Sequence, residues 1–263
     1  MKQLLIDAGN TRLKWVALSA GRMGRVQAAD WTKSSLERVA RRALKGGYAQ
    51  IIVCSVAGTT MERALRRAAR GSGNPPPQFI RSTRRALGVR NGYAQTWRLG
   101  ADRWVAMLGA RSLAPGRALC IVDVGTALTL DLLDARGQHR GGLLTPGPAL
   151  MVDSLLSNTA GIRHRAGSLA SAHRRTGAAA RTGALVPFGR STRSGLLAGS
   201  VMACAGLIEH ALREARTILP GRPKLLLAGG GARLVAQLLR VPCVRADDLV
   251  LRGLALLARP DTR

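Results

Sequence analysis

Apolar positions at the start of the chain come in short blocks separated by turn residues. Residues 2–7 and 12–18 read as two strands with a tight turn between them, and a third strand is predicted near 25–31. The period then changes. A helix is predicted over 36–45, capped by Ser34 or Ser35 and stopped by Gly46-Gly47. A buried strand follows over 50–55, then an amphipathic basic helix over 59–70 that ends at Gly71. Three successive prolines make 71–77 an irregular link to a short strand at 78–81. A loop with Asn91-Gly92-Tyr93 leads to a helix over 99–113, and Pro115-Gly116 marks the natural boundary.

Past that boundary the same order restarts, with strands at 118–123, 127–134 and 138–145. Pro146-Gly147-Pro148 opens a helix, and a long helix is predicted at about 195–218. An apolar strand at 224–227 runs into Gly229-Gly230-Gly231 and a helix over 232–239, and a last helix covers 247–258. Two domains are therefore expected, 1–114 and 115–263. Each is α/β, and the second repeats the architecture of the first. From 157 to 193 the chain turns to Ala, Arg, Gly, Ser and Thr without a clean period, and reads as a mobile basic loop or a poorly specified helix.

The duplication extends to chemistry. Ile6-Asp7-Ala8-Gly9-Asn10-Thr11 and Val122-Asp123-Val124-Gly125-Thr126-Ala127 share one pattern: an apolar run, Asp, any residue, Gly, then an amide or hydroxyl. Gly lets backbone N–H groups approach a ligand closely, and Asn10, Thr11, Thr126 and Thr129 add short polar groups, so the pattern points to phosphate. If the two halves face each other, Asp7 and Asp123 lie at adjacent strand ends, where carboxylates hold a divalent cation through phosphate oxygens. The Gly229–Gly231 turn between strand and helix is a further phosphate- or nucleotide-approach geometry.

Composition narrows the alternatives. With 46% hydrophobic and 21% charged residues the 263-residue chain is globular, and it has no run of about 18 uncharged apolar residues to span a bilayer. The first strand begins almost at Met1, which leaves no room for a signal peptide, so a cytoplasmic location is expected. Cys54, Cys120, Cys204 and Cys243 are scattered, and with His139, His164, His173 and His210 they form no zinc spacing. The net charge of +27 suggests a polyanion partner. Against a dedicated nucleic-acid site stand the spread of the basic residues along the chain, an aromatic content of 3%, and the lack of a helix-turn-helix or zinc-finger spacing. Weak, salt-sensitive binding to polyanions is the expectation.

The specific motifs resemble one family. Asp7-Ala8-Gly9-Asn10-Thr11-Arg12-Leu13-Lys14, Asn91-Gly92-Tyr93, Leu99-Gly100-Ala101-Asp102-Arg103-Trp104, Asp123 to Asp131 and Gly141 to Gly147 resemble, in order, the type III pantothenate kinases. That family also includes members named Bvg accessory factor. The resemblance implies a duplicated ribonuclease-H-like fold of the actin-like ATPase and sugar-kinase superfamily. It implies transfer of the ATP γ-phosphoryl group to the 4′-hydroxyl of pantothenate, with Mg²⁺, and with K⁺ or NH₄⁺ as monovalent cation, in a homodimer.

By the same resemblance, Asp7, Ala8, Gly9, Asn10, Thr11, Arg12, Leu13, Lys14 and Thr126 bind the ATP phosphates, and Asp123 binds the monovalent cation. Tyr93, Gly100, Ala101, Asp102, Arg103 and Thr192 line the pantothenate site, with Asp102 as proton acceptor. Taken alone, Asp102 reads equally well as a helix N-cap. Arg103 is the expected partner of the pantothenate carboxylate. Thr96 stands where the family carries proline, which is expected to loosen the loop over pantothenate, and the 157–191 segment is longer and more basic than the family shows. The alternative function is a regulator of the Bvg-accessory type that acts through its basic surface; a kinase for another small alcohol is a third reading.

Overall fold

The computed structural model describes residues 2–166 and 188–259, so most of the irregular basic segment and the His173 within it lie outside the described residues. The chain forms two compact units, Met1–Pro115 with Asp248–Arg263, and Gly116–Asp247.

In unit 1 the strands β1 (Lys2–Ala8), β2 (Arg12–Ser19), β3 (Arg22–Met23), β4 (Gln27–Asp30), β5 (Gln50–Ser55) and β6 (Gln78–Ile80) form one sheet. Its order is β3-β2-β1-β5-β6, with β4 also paired to β2. β1 and β2 are antiparallel, whereas β5 runs parallel to both β1 and β6. Strand alternation sorts the side chains to two faces. Leu4, Ile6, Ala8, Leu13, Trp15, Ile51 and Val53 pack under α1 (Leu36–Ala43) and α2 (Gly58–Gly71). Asp7, Lys14 and Cys54 therefore belong to the other face, where α3 (Ala101–Leu113) and the last helix, α8 (Leu249–Leu257), lie against the sheet. A small hairpin, β7 (Arg85–Ala86) and β8 (Val89–Arg90), turns through Leu87 and Gly88, both at positive φ.

Unit 2 repeats the plan. β9 (Leu119–Val124), β10 (Ala127–Leu133), β11 (His139–Pro146), β12 (Lys224–Ala228) and β13 (Cys243–Arg245) stand in the order β11-β10-β9-β12-β13. β9 and β10 are antiparallel, and β12 is parallel to β9. The core joins Val122, Val124, Leu128 and Leu130 to Val201, Cys204 and Ile208 of α6 (Thr192–Ile218) and to Val235 of α7 (Ala232–Ala236). By length and composition α6 could cross a membrane, but its buried side chains belong to this core. The remaining described helices of the unit are α4 (Pro148–Asn158) and α5 (Ala160–Ala166), so the first part of the aperiodic basic segment is helical. Asp131 and His139 are buried together between β10 and β11, with Nε2 and Oδ1 2.9 Å apart.

The structure differs from the sequence expectation most at the C-terminus. The expected second domain extends to residue 263, yet α8 joins unit 1, packing on α3, β1, β2 and β5. The cause is close helix contact: a Cβ on Gly109 would lie 2.2 Å from the Leu249 carbonyl oxygen, and one on Gly253 would lie 2.1 Å from that of Val105. Periodicity marks such a segment as a helix but carries no information about which core receives it.

Candidate active site

The first hairpin is braced from both sides. Gly9 N–H donates to the Arg12 carbonyl at 3.0 Å, while the Trp31 indole N–H donates to the Gly9 carbonyl and the Trp31 backbone N–H to that of Thr11, each at 3.0 Å. Asp7 and Lys14 face each other across the two strands. The Lys14 ammonium also donates to Asp248 Oδ1 at 2.9 Å. Ala8 and Leu13 are fully buried and anchor the hairpin in the core under α1 and α2. Asn10 and Arg12 are exposed at the tip.

Asp102 stands in the first turn of α3 and accepts from the Arg103 backbone N–H at 2.8 Å. Gly100 makes room for it, because a Cβ there would sit 2.6 Å from Asp102 Oδ1. Gly100 is the N-cap residue of α3, so Asp102 is not the cap that it resembles in the sequence. Arg103 is buried, its guanidinium donates to the Tyr93 hydroxyl at 3.0 Å, and its charge lies 5.6 Å from that ring's centre. The Tyr93 backbone N–H in turn donates to Asn91 Oδ1 at 2.9 Å. Asn91 is buried, and its amide donates to the Thr83 and Thr96 carbonyls at 3.3 Å each. Thr96 opens a 3₁₀ turn, Thr96–Arg98, and its carbonyl is the one that accepts from the Asn91 amide.

Cys54 links the two halves of this face. Burial pushes its thiol well up, the Asp7 and Asp102 carboxylates push it further, and Arg81 pulls it down. Unit 1 thus brings Asp7, Lys14, Asp102 and Asp248 to the face of the sheet that carries α3 and α8. Sequence reading did not find Cys54, Asn91 or Asp248 as members of this group. Only Asn91 left a signal, as an Asx turn before Gly92.

In unit 2 the second hairpin is enclosed by glycine backbones. Gly125 N–H donates to the Ala127 carbonyl at 3.0 Å, Gly147 N–H to that of Thr126 at 2.8 Å, and Gly231 N–H to that of Val124 at 2.9 Å. A Cβ on Gly147 would be 2.1 Å from the Gly125 carbonyl oxygen, and one on Gly229, at φ +92, would be 2.3 Å from Asp123 Oδ1. The glycine-rich turn after β12 therefore backs directly onto the Asp123 turn. Thr192 is the first residue of α6, inside the Ser191–Ser194 capping box. It lines an apolar groove of about 550 Å³ with Pro146, Met151, Leu155, Leu196 and Ser200.

Two hairpins of one pattern on two sheets of one topology, with a carboxylate at the start of each turn, make the duplicated fold that actin-like ATPases and sugar kinases share. Solved structures agree on the fold. MreB5 of Spiroplasma citri bound to ADP superposes with a TM-score of 0.56 at 11% identity, covering 98% of this chain and 96% of that one. A conserved protein of the Baf family of transcriptional activators from Campylobacter jejuni gives 0.57 at 17%, covering 97% and 96%. At such identities the likeness is one of fold.

Sequence is more specific. The model of the type III pantothenate kinase family matches residues 3–214, and the chain belongs to that family. The type III pantothenate kinase of Aromatoleum aromaticum is 38% identical over 98% of both chains, and that of Burkholderia ambifaria is 39% identical over 97% of this chain and 95% of its own.

Proposed function

We propose that Asp102 is the proton acceptor in transfer of the γ-phosphoryl group of ATP to the 4′-hydroxyl of pantothenate. As a type III pantothenate kinase the protein phosphorylates pantothenate and serves coenzyme A biosynthesis; the proposal concerns how its residues divide the work. The observation that carries it is the Asp102 carboxylate, set in the first turn of α3 over Gly100 and on the same sheet face as Asp7.

Phosphoryl transfer passes through a loose transition state, so the protein mainly aligns donor and acceptor and stabilises spreading negative charge. The alcohol proton leaves late, so a carboxylate such as that of Asp102 is sufficient. Arg103, fixed by Tyr93, pairs with the pantothenate carboxylate, and Tyr93, Gly100, Ala101 and Thr192 complete the acceptor's surroundings. The first hairpin, from Asp7 to Lys14, and Thr126 take the ATP phosphates.

A kinase of this superfamily uses ATP with a divalent metal, here Mg²⁺. The donor set fits, because Mg²⁺ is held largely by phosphate oxygens and one or two carboxylates, and Asp7 stands near the end of β1 at the root of the first hairpin. Asp7 would supply such a carboxylate. When bound, the metal neutralises charge on the transferred group. Asp123, against Gly229, is the proposed ligand of K⁺ or NH₄⁺.

We also propose a cytoplasmic homodimer. Exposed Leu143 and Leu144 on β11, Leu150 and Leu155 on α4 and Met202 on α6 favour a second copy as cover for unit 2. Sedimentation at micromolar concentration should give twice the 27.8 kDa chain mass; a monomer there would refute the dimer.

The first test is ADP release by purified protein, with and without pantothenate and K⁺, beside Asp102→Asn. Turnover should require both additions and fall about 10²-fold or more in the variant, with nucleotide binding kept. Unchanged turnover in Asp102→Asn would remove Asp102 as the base.

A further inference from the structure

Asp248 occupies the position before α8 where an Asp ordinarily caps a helix by accepting from its first backbone N–H groups. It does not do so. Its backbone is left-handed, at φ 57 and ψ 36, and its side chain makes no capping hydrogen bond. Its carboxylate instead accepts from the Lys14 ammonium at 2.9 Å, with both side chains about three-quarters buried (29% and 25% exposed). Lys14 is the cross-strand neighbour of Asp7 at the root of the first hairpin. Asp enters the left-handed region more readily than most residues, and here the conformation delivers a carboxylate to Lys14 rather than to the helix.

We infer that Asp248 is a positioning residue for nucleotide binding: it fixes the Lys14 ammonium beside Asp7, which makes the start of the last helix part of the phosphate site. This rests on the reading above, in which the first hairpin takes the ATP phosphates. A lysine ammonium sits on a flexible four-carbon stem with three donors. The bond to Asp248 uses one donor and sets the direction of the others, so the charge is placed before the nucleotide arrives. A structural clamp on α8 would need the same salt bridge but would leave nucleotide affinity alone.

The experiment measures ADP and ATP affinity, by displacement of a fluorescent nucleotide, for wild type, Asp248→Asn, Lys14→Met and the double variant. Asn tolerates the left-handed backbone and keeps the size of the side chain, so Asp248→Asn removes the charge alone. Each single variant should bind ATP about five- to twentyfold more weakly, and the double variant no more weakly than Lys14→Met, because the two groups act as one. In the kinase assay Asp248→Asn should raise the ATP KM by the same factor and leave the pantothenate KM unchanged. Affinity within twofold of wild type, tighter binding, or effects that multiply in the double variant would overturn the inference.

Should Asp248→Asn fail to fold, the ¹⁵N resonance of the Lys14 ammonium in wild type, identified by its loss in Lys14→Met, gives the second readout. ADP should shift it, and an unmoved resonance at saturation would overturn the inference. If wild type binds no nucleotide, the phosphate-site reading itself fails; normal binding in wild type and Asp248→Asn alike refutes the role of Asp248 only.

Discussion

Gly100 shows how one missing side chain sets the geometry of the proposed base. Alanine would fit its backbone, but the new Cβ would lie 2.6 Å from Asp102 Oδ1, and the carboxylate would have to rotate away. Because the displaced atom is at the end of a mobile side chain, Gly100→Ala should change stability by less than about 1 kcal/mol while kcat falls by about tenfold or more. Thermal unfolding beside steady-state kinetics checks both. An unchanged kcat would mean that the position of the Asp102 carboxylate does not limit the reaction. At this scale the sequence showed which residue types were present, in motifs around Asp7, Tyr93 and Asp102. It did not show that Arg103 is buried against Tyr93 or that Asn91 holds the loop, because those bonds join residues through space.

Elements were legible where a local pattern is strong. The strand over 50–55 and the two hairpins carry short apolar blocks with glycine turns, and helix ends lie within a few residues of their predicted stops. The β7–β8 hairpin and the edge strand β13 escaped, being only two or three residues long. The proline-rich link does more than connect. Its Asn74 amide donates to the Leu44 and Gly46 carbonyls, closing the end of α1, and its Oδ1 accepts from Tyr48 N–H. The contact between α3 and α8 supplies the test at this scale. In Gly109→Ala the added Cβ would meet backbone, 2.2 Å from the Leu249 oxygen, and backbone cannot swing aside. A loss of about 2–3 kcal/mol in urea unfolding is expected. A loss under 0.5 kcal/mol would show that the helices separate easily.

For the whole molecule, buried thiols make stability depend on alkaline pH. Burial, with Asp131 adding to it, pushes Cys120 up from 9.0 to about 12, and burial raises Cys204 to about 11. A raised pKa in a neutral acid means that the folded state keeps its proton longer than the unfolded state. Their contribution is therefore complete below pH 9 and is lost as pH rises from 9 towards 11–12. Each thiol should account for about 1.4 kcal/mol per pH unit in that window. Urea midpoints between pH 8 and 10.5 should fall less steeply in Cys120→Ala than in wild type; equal slopes would mean that the Cys120 thiol ionises alike in both states.

The sequence by itself determined the duplicated α/β plan, the two Asp-x-Gly hairpins and the family, because each is written in residues close together along the chain. The tertiary structure alone decided that the last helix belongs with the first sheet, that Asp248 serves Lys14 rather than its own helix, and that the glycine turn after β12 backs onto Asp123. Those outcomes depend on backbones approaching within contact distance across up to two hundred or more residues, and local periodicity has no term for that distance.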